Sequence, residues 1–191
     1  MDLTAAVGPG APLTGFTDVP PGHRFASEID WLTRLGLLDR RGDRTFAPLT
    51  TVDRSQLARA LYRYAGADDG VPAPVGMVAA DVSAGHPYAA EIAWVVRHRL
   101  LLVHADGTFR PARPARRQEL VLALHRAIGG PAPSGPAPFH DVQRWHPSVD
   151  AIAWAAEVGV TRGMPDGTFR PSRPVTRQAL AVLLRRFDEL A

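Results

Sequence analysis

Three types of side chain that bind ligands recur at one common spacing in this chain. Each is repeated after 63 residues and again after 60, and the set comprises Arg54, Arg117 and Arg177, then Asp18, Asp81 and Asp141, then His23, His86 and His146. An arginine guanidinium offers two parallel donors that match a carboxylate. The recurring arginines therefore have two open interpretations, an acid-binding site or a brace between neighbouring parts of the fold.

The recurring histidines and aspartates are interpreted as structural. Three imidazoles around one point could hold a metal ion, but each histidine directly precedes a predicted helix, where its ring nitrogen can bond the local backbone. Aspartate side chains commonly hold turns. We therefore predict no metal site and no cofactor.

Several patterns that define enzymes are missing from the sequence. It has no cysteine, no glycine-rich phosphate loop and no nucleophile elbow, and no carboxylates are paired outside the repeated positions. These absences predict that the protein is not an enzyme.

The composition is that of a folded protein, without a segment that would bind nucleic acid or span a membrane. Hydrophobic residues make up 46% of the 191 residues and charged residues 21%. All 22 basic residues are arginine and the formal net charge is +3. No arginine run is interleaved with stacking aromatics, so we expect no nucleic-acid partner. No apolar run reaches the length of a membrane span.

The tryptophans follow the same spacing and indicate three tandem units. Trp31, Trp94 and Trp154 recur after 63 and 60 residues, and they are interpreted as packing residues within or between the units. The predicted organisation is an N-terminal tail at 1–15, first, second and third repeats at 16–66, 77–129 and 139–191, a linker at 67–76 and a Pro-rich linker at 130–138.

Each repeat is predicted to be a helix, a loop and a second helix. The second helix of the third repeat has apolar residues at i, i+3, i+4 and i+7, namely Leu180, Leu183, Leu184 and Phe187. Helices are expected to begin after Asp53, with Gln56 completing a capping box, and after Thr176. Gly66 and Gly129 are expected just beyond helix ends.

The loop between the helices contains a recurring turn. Its sequence is Asp-Gly-Thr-Phe-Arg-Pro at 106–111 and again at 166–171, and the glycine is expected to adopt positive φ. Arg44 replaces that glycine in the first repeat. We therefore expect a different turn there, centred on Gly42.

Two helices and a turn cannot enclose a core, but three such units can bury their apolar stripes against one another. The predicted fold is mainly all-α, with three helix-loop-helix repeats around a pseudo-threefold axis. Because three repeats already close one bundle, a monomer with an internal pseudo-trimer is expected.

The motifs of the third repeat resemble the S-layer homology family. They are Phe-His-Asp-Val at 139–142, Gly159, the turn at 166–171 and Val-Thr-Arg-Gln-Ala at 175–179. The Thr-Arg-Gln-Ala form resembles the actinobacterial variant. The resemblance implies a three-pronged bundle of six main helices, with grooves between units that bind a secondary cell-wall polysaccharide, often one with a pyruvylated terminal sugar.

The resemblance also implies which residues bind the glycan. The motif arginine of the family maps to Arg54, Arg117 and Arg177, and a groove glycine maps to Gly163. Arg40 and Val103 occupy the equivalent glycine positions in the other repeats, so we expect at most one competent groove, near Gly163. Trp145 has no counterpart in the other repeats and lies in a predicted loop, which makes it a candidate exposed contact.

Two hypotheses about function follow. One is a non-catalytic module that binds cell-wall glycan and anchors a partner to the wall, with the cell envelope as its location. The alternative is an intracellular adaptor that docks onto a protein assembly, because residues 1–15 lack the basic and apolar regions of a signal peptide. Export by another route would reconcile this N-terminus with the first hypothesis.

Overall fold

The computed structural model describes residues 15–39, 41–67 and 76–190. Within these ranges the fold is mainly helical, as predicted, with α1 (Ala26–Arg34), α2 (Arg54–Tyr64), α3 (Ala89–Arg97), α4 (Arg117–Ala127), α5 (Val149–Glu157) and α6 (Arg177–Asp188). A short antiparallel hairpin, β1 (Met77–Ala79) and β2 (Val82–Ser83), was not predicted. Arg40 and nearly all of the N-terminal tail and first linker lie outside the described residues.

The helix boundaries follow the capping signals in the sequence. Asp53 accepts a hydrogen bond from the backbone N–H of Gln56, and the Gln56 side chain accepts one in return, which confirms the capping box before α2. Thr176 Oγ1 accepts from Ala179 at 3.3 Å at the start of α6. Gly66 and Gly129 follow α2 and α4 at φ of 64° and 84°, as expected of C-terminal glycines.

The recurring histidines prepare the start of the first helix in each repeat. Nδ1 of His23, His86 and His146 accepts a hydrogen bond from the N–H two residues later, at 3.2, 3.1 and 3.1 Å. This bond orients the turn that enters α1, α3 and α5. The histidines therefore recur three times because each one holds the turn before a helix, in agreement with the interpretation of these residues as structural.

The repeats pack on one another through successive helices. The second helix of each repeat contacts the first helix of the next one, so that α2 packs on α3, α4 on α5 and α6 on α1. Three backbone hydrogen bonds also link the repeats in a closed ring: Val52 donates to Val175, Val175 to Ala115 and Ala115 to Val52, at 2.8, 2.8 and 2.9 Å. Each repeat therefore completes its core with residues of the other two.

The tryptophans lie between repeats. Trp94 meets Tyr62 of the first repeat edge to face, with ring centroids 5.6 Å apart. Trp154 is buried, and its ring centroid lies 5.3 Å from that of His125 of the second repeat. The guanidinium of Arg185, from the third repeat, lies 5.4 Å from the ring of Trp31. These contacts confirm the interpretation of the tryptophans as packing residues.

The recurring aspartates hold the loop between the two helices of each repeat. The two carboxylate oxygens of Asp141 accept from the N–H groups of Phe169 and Arg170, both at 2.7 Å. Asp18 and Asp81 make the same pair of bonds in their own repeats. The second donor of each pair has positive φ, at 54° to 59° in Ala47, Arg110 and Arg170. The aspartate bonds therefore help to fix a backbone conformation that L-residues rarely adopt.

The expectation of a different turn in the first repeat is wrong. Arg44 has φ of 61°, close to the 78° and 77° of Gly107 and Gly167, and Gly42 is not in the left-handed region. Asp43 Oδ1 accepts from the N–H and the hydroxyl of Thr45 at 3.0 and 2.6 Å. The same Asp–Thr bonds form in the other two turns. These bonds set the turn, and Arg44 adopts the strained conformation.

Replacing Arg44 with glycine should stabilise the protein. A left-handed L-residue costs about 1–2 kcal/mol, and glycine loses about 0.5–1 kcal/mol more entropy on folding, so Arg44→Gly should raise the free energy of unfolding by roughly 0.5–1 kcal/mol. Urea denaturation measures this change. Gly107→Ala, at the equivalent position, should have the opposite sign, and equal stability of all three proteins would contradict the strain at Arg44.

Candidate ligand-binding groove

A groove of about 490 Å³ lies where the third repeat meets the other two. Its walls are α6 and the loop at 161–165, with Arg24 and Phe25 contributed by the first repeat and Arg117 by the second. The groove thus brings together Arg117 and Gly163, two of the residues that the sequence analysis selected. Arg54, Arg177 and Trp145 are not among its lining residues.

Gly163 has a conformation and surroundings that only glycine fits. Its φ is 69°, and an added Cβ would lie 2.3 Å from Cε1 of Phe139 and 2.9 Å from the carbonyl oxygen of Thr168. Its N–H donates to Thr161 Oγ1 at 3.2 Å. Val103, at the equivalent position of the second repeat, does not have positive φ. The loop therefore follows a different path in the third repeat.

Arg54 and Arg177 are bonded into neighbouring repeats. Arg54, only 2% exposed, donates from Nε to the carbonyl of Phe109 and from Nη2 to that of Leu102, both at 2.7 Å. Arg177 donates to the carbonyls of Phe46 and Asp39 at 2.6 and 3.0 Å. Each guanidinium also lies over the phenylalanine ring, at 4.4 and 4.6 Å. These contacts favour the bracing interpretation at these two positions.

Arg117 braces the next repeat in the same way but leaves donors free. Its Nε donates to the carbonyl of Phe169 at 2.8 Å, and its guanidinium lies 4.7 Å from that ring. Within the described parts of the chain, its two Nη atoms have no hydrogen-bond acceptor. Burial lowers the pKa of Arg117 to about 10, so the side chain is still charged at neutral pH. It can therefore offer paired donors to an acidic group in the groove.

A glutamate explains part of the difference between Arg54 and Arg117. Glu119 forms an ion pair with Arg54 and a second one, at 2.6 Å, with Arg113. Ala179 occupies the position of Glu119 in the third repeat, and it lines the groove. Within the described residues, a carboxylate thus forms an ion pair with Arg54 and none does so with Arg117.

The lining of the groove is cationic and apolar. Among the described residues, Arg24, Arg117, Arg162, Arg173 and Arg186 line it together with Phe25, Leu49, Val182 and Leu183, and no aspartate or glutamate does. Sugars present both hydroxyl edges and apolar faces, and arginines attract acidic groups. The groove is therefore suited chemically to an acidic sugar.

Four of these arginines were not among the predicted site residues. Arg24 comes from the first repeat and the other three from the third, at 162, 173 and 186. Arg24 and Arg162 have no arginine at the equivalent positions of the other repeats, so the common spacing does not find them. Arg186 does recur, as Arg63 and Arg126, and Arg173 recurs as Arg113, so their spacing was an available signal. A second signal was that Arg162 stands next to Gly163, where the other repeats have Asp39 and Leu102.

Trp145 lies apart from the groove. Its side chain is 81% exposed, in the turn where the N–H of His146 donates to the carbonyl of Gln143 at 2.9 Å. This placement leaves the ring free to contact another molecule, although not one confined to the groove.

Neither a metal centre nor a membrane-spanning helix is found in the described ranges. No three histidine, aspartate or glutamate side chains gather there closely enough to hold a metal ion. No helix among these residues has both the length and the apolar character needed to cross a bilayer.

Comparison with known proteins identifies the family. The S-layer homology domain matches at residues 15–58, 80–121 and 138–181. These three matches cover more than half of the chain, which therefore belongs to the S-layer homology domain family. The family resemblance and the three tandem repeats are thus confirmed, and the actinobacterial form stays a prediction. Membership indicates an anchoring module associated with the cell surface.

Two relatives with curated names share parts of the sequence. Cell surface glycoprotein 1 of Acetivibrio thermocellus is 26% identical over 156 residues, which are 75% of this chain and 7% of that protein. An endoglucanase of a Bacillus species is 32% identical over 82 residues, which are 43% of this chain and 8% of the endoglucanase. The chain therefore spans less than a tenth of the length of either relative.

Proposed function

We propose that this chain is a non-catalytic module that binds an acidic cell-wall polysaccharide and thereby anchors its partner to the wall. The observation that carries the proposal is the pair of Nη atoms of Arg117, which no described residue bonds, in a groove whose described lining has arginines and no acidic residue. Family membership supports the same conclusion, because S-layer homology domains bind cell-wall polymers.

A pyruvylated sugar fits the chemistry of this groove. The carboxylate of the ketal would accept two parallel hydrogen bonds from the Nη atoms of Arg117. The apolar face of the ring would lie against Phe25 and Leu49, which line the groove. Leu49 is strongly exposed, so its side chain is available for such a contact. Gly163 would keep the loop clear of the sugar.

We also infer that the three repeats form a three-pronged bundle around a pseudo-threefold axis within a monomer. Two features support this arrangement: the closed ring of backbone bonds among Val52, Ala115 and Val175, and the cyclic order in which second helices pack on first helices. In such a bundle the three motif arginines occupy equivalent interfaces, and their different partners leave one groove open.

Replacing Arg117 tests the proposal. Arg117→Gln removes charge-assisted bonds to an acidic ligand, so the affinity for purified cell walls should fall by about tenfold or more. Co-sedimentation with the walls measures this change, and circular dichroism checks that the variant is folded. Arg97→Gln is the matched control, because Arg97 is exposed on α3, outside the groove, and the charge change is the same.

Two results would contradict this function. One is co-sedimentation that survives removal of the polysaccharide from the walls, and the other is equal binding of the Arg117 and Arg97 variants. Recovery of the protein only from the cytosol, on a protein assembly and without affinity for walls, would instead support the adaptor hypothesis.

A further inference from the structure

Three arginines without an ion pair lie together at one end of the groove. Elsewhere in the described chain some exposed arginines, such as Arg97 and Arg144, also lack one. Others have a carboxylate within 4 Å, namely Arg34, Arg41, Arg54, Arg59, Arg63, Arg110, Arg113, Arg170 and Arg185. The side chains of Arg24, Arg162 and Arg186 have no ion pair and no hydrogen bond to any described residue. All three nevertheless line the same groove.

These three arginines form a group distinct from Arg117. Arg162 and Arg186 also line a second cavity, of about 600 Å³, between α1 and the end of α6, whereas Arg117 does not. Arg162 and Arg186 therefore lie at the junction of the two cavities, while Arg24, two residues before α1, lines only the first. Arg173, in contrast, lies near Arg117. Burial is the main cause of the lowered pKa of Arg117, and the positive charge of Arg173 is the next.

The three charges are also close enough to affect one another. Burial is the main cause of the lowered pKa of Arg186, and Arg162 is the next, with a smaller contribution from Arg24. Glu28 and Glu189, which line the second cavity, oppose the shift without approaching to ion-pair distance. Gathering like charges without a bonded acid is unfavourable, and it is typical of sites that bind an anion.

We propose that Arg24, Arg162 and Arg186 form a second anion subsite, so that the polysaccharide is held through acidic groups on two successive sugars. The inference rests on the proposed function, because it assumes that the first acidic group binds Arg117. The second group is a carboxylate or a phosphate, either of which accepts charge-assisted bonds from guanidinium groups. The groove would then select a polymer that carries charge along its length rather than only at its terminal sugar.

Titration calorimetry with three disaccharides tests the subsite. All three carry one pyruvate ketal, and the second sugar is neutral in the first, a hexuronic acid in the second and a sugar phosphate in the third. The wild type should bind at least one of the two doubly acidic probes about tenfold more tightly than the singly acidic one. The probe with the larger gain identifies the acidic group.

Two double variants separate the subsite from general electrostatics. Arg162→Gln with Arg186→Gln should remove the gain from the second acidic group, and it should weaken binding of the singly acidic probe by less than that gain. Arg97→Gln with Arg144→Gln carries the same change in charge on exposed residues outside the groove, and should keep the gain. On whole walls, the first double variant should bind at least about fivefold more weakly than the second.

The outcomes distinguish this inference from the function on which it rests. The subsite is overturned if walls bind in an Arg117-dependent manner but the two double variants bind them equally. It is also overturned if the second acidic group does not raise the affinity of the wild type. The same holds if Arg162→Gln with Arg186→Gln weakens the binding of all three disaccharides equally. If neither walls nor any probe binds the wild type, the proposed function itself fails.

Discussion

Replacing Glu119 with alanine should lower the free energy of unfolding by about 3–4 kcal/mol. Glu119 neutralises Arg54, whose side chain is 2% exposed, and removing one partner of a buried pair leaves an uncompensated charge. Glu119 also accepts a hydrogen bond from the N–H of Arg116 at 2.8 Å at the start of α4, and losing that cap contributes about 1 kcal/mol of the total. Urea denaturation followed by circular dichroism measures the change.

Three further variants separate the parts of this effect. Glu119→Gln keeps the cap and removes the charge, so it should cost about 1 kcal/mol less than the alanine variant. Adding Arg54→Met to Glu119→Ala should recover part of the loss, because no buried charge then remains. Glu189→Ala removes an exposed pair with Arg185 and should cost less than about 0.5 kcal/mol. If Glu119→Ala and Glu189→Ala lower the free energy of unfolding equally, the buried charge of Arg54 does not need its carboxylate partner for stability.

The repeat structure was predictable because it leaves a direct signal in the sequence. Several side chains that hold the backbone do so in all three repeats, as with the carboxylate of Asp141 and the ring of His146. Such roles require the same residue type at the same place, and a common spacing detects them. The capping box of Asp53 was predictable for a similar reason, since both partners lie three residues apart.

The difference among the three motif arginines was not predictable from their spacing. Arg54, Arg117 and Arg177 are identical by that criterion, and what separates them is the set of residues that each meets in the next repeat. Glu119 meets Arg54, and the carbonyl of Asp39 meets Arg177. Only Gly163 indicated in advance which interface would be open. The positive φ of Arg44 was missed because side-chain type was taken to set the turn, whereas the Asp–Thr bonds do.

Each motif arginine therefore makes one contact that is the same in all three repeats, through Nε, and has Nη atoms whose partners differ. The Nε of all three donates to the carbonyl of a phenylalanine in the next repeat, at 2.6 to 2.8 Å. This bond holds the interface whether or not a ligand is present. The Nη atoms differ among the three: those of Arg54 and Arg177 find internal acceptors, and those of Arg117 find none among the described residues. The bond from Nε can therefore be kept while the rest of the guanidinium is either paired or unpaired.

Substituting alanine for Gly163 should damage both stability and wall binding. The left-handed φ of 69° costs an alanine about 1–2 kcal/mol, and the contact of 2.3 Å with Phe139 adds about 1–3 kcal/mol of overpacking. Phe139 cannot yield easily, because it is buried and its ring centroid lies 5.6 Å from that of Phe169. We therefore expect a loss of roughly 2–5 kcal/mol in the free energy of unfolding, with a displaced loop beside Arg117.

Gly159 provides a closely matched control for this substitution. It lies four residues earlier in the same repeat, with φ of 82°, and an added Cβ would meet no atom within 4 Å. Gly159→Ala should therefore cost only the backbone strain, about 1–2 kcal/mol, and should keep full affinity for cell walls when the protein is folded. Gly163→Ala should lose wall binding under the same conditions.

A second substitution shows whether the clash with Phe139 is the cause. Phe139→Leu shortens the side chain that the new methyl group would meet, so in the Gly163→Ala background it should restore part of the lost stability, although it is destabilising alone. Such non-additivity is expected only of residues in contact. If the two glycine variants are equally stable and both bind walls, the close packing around Gly163 does not shape the groove, and the free Nη atoms of Arg117 would have to account for binding alone.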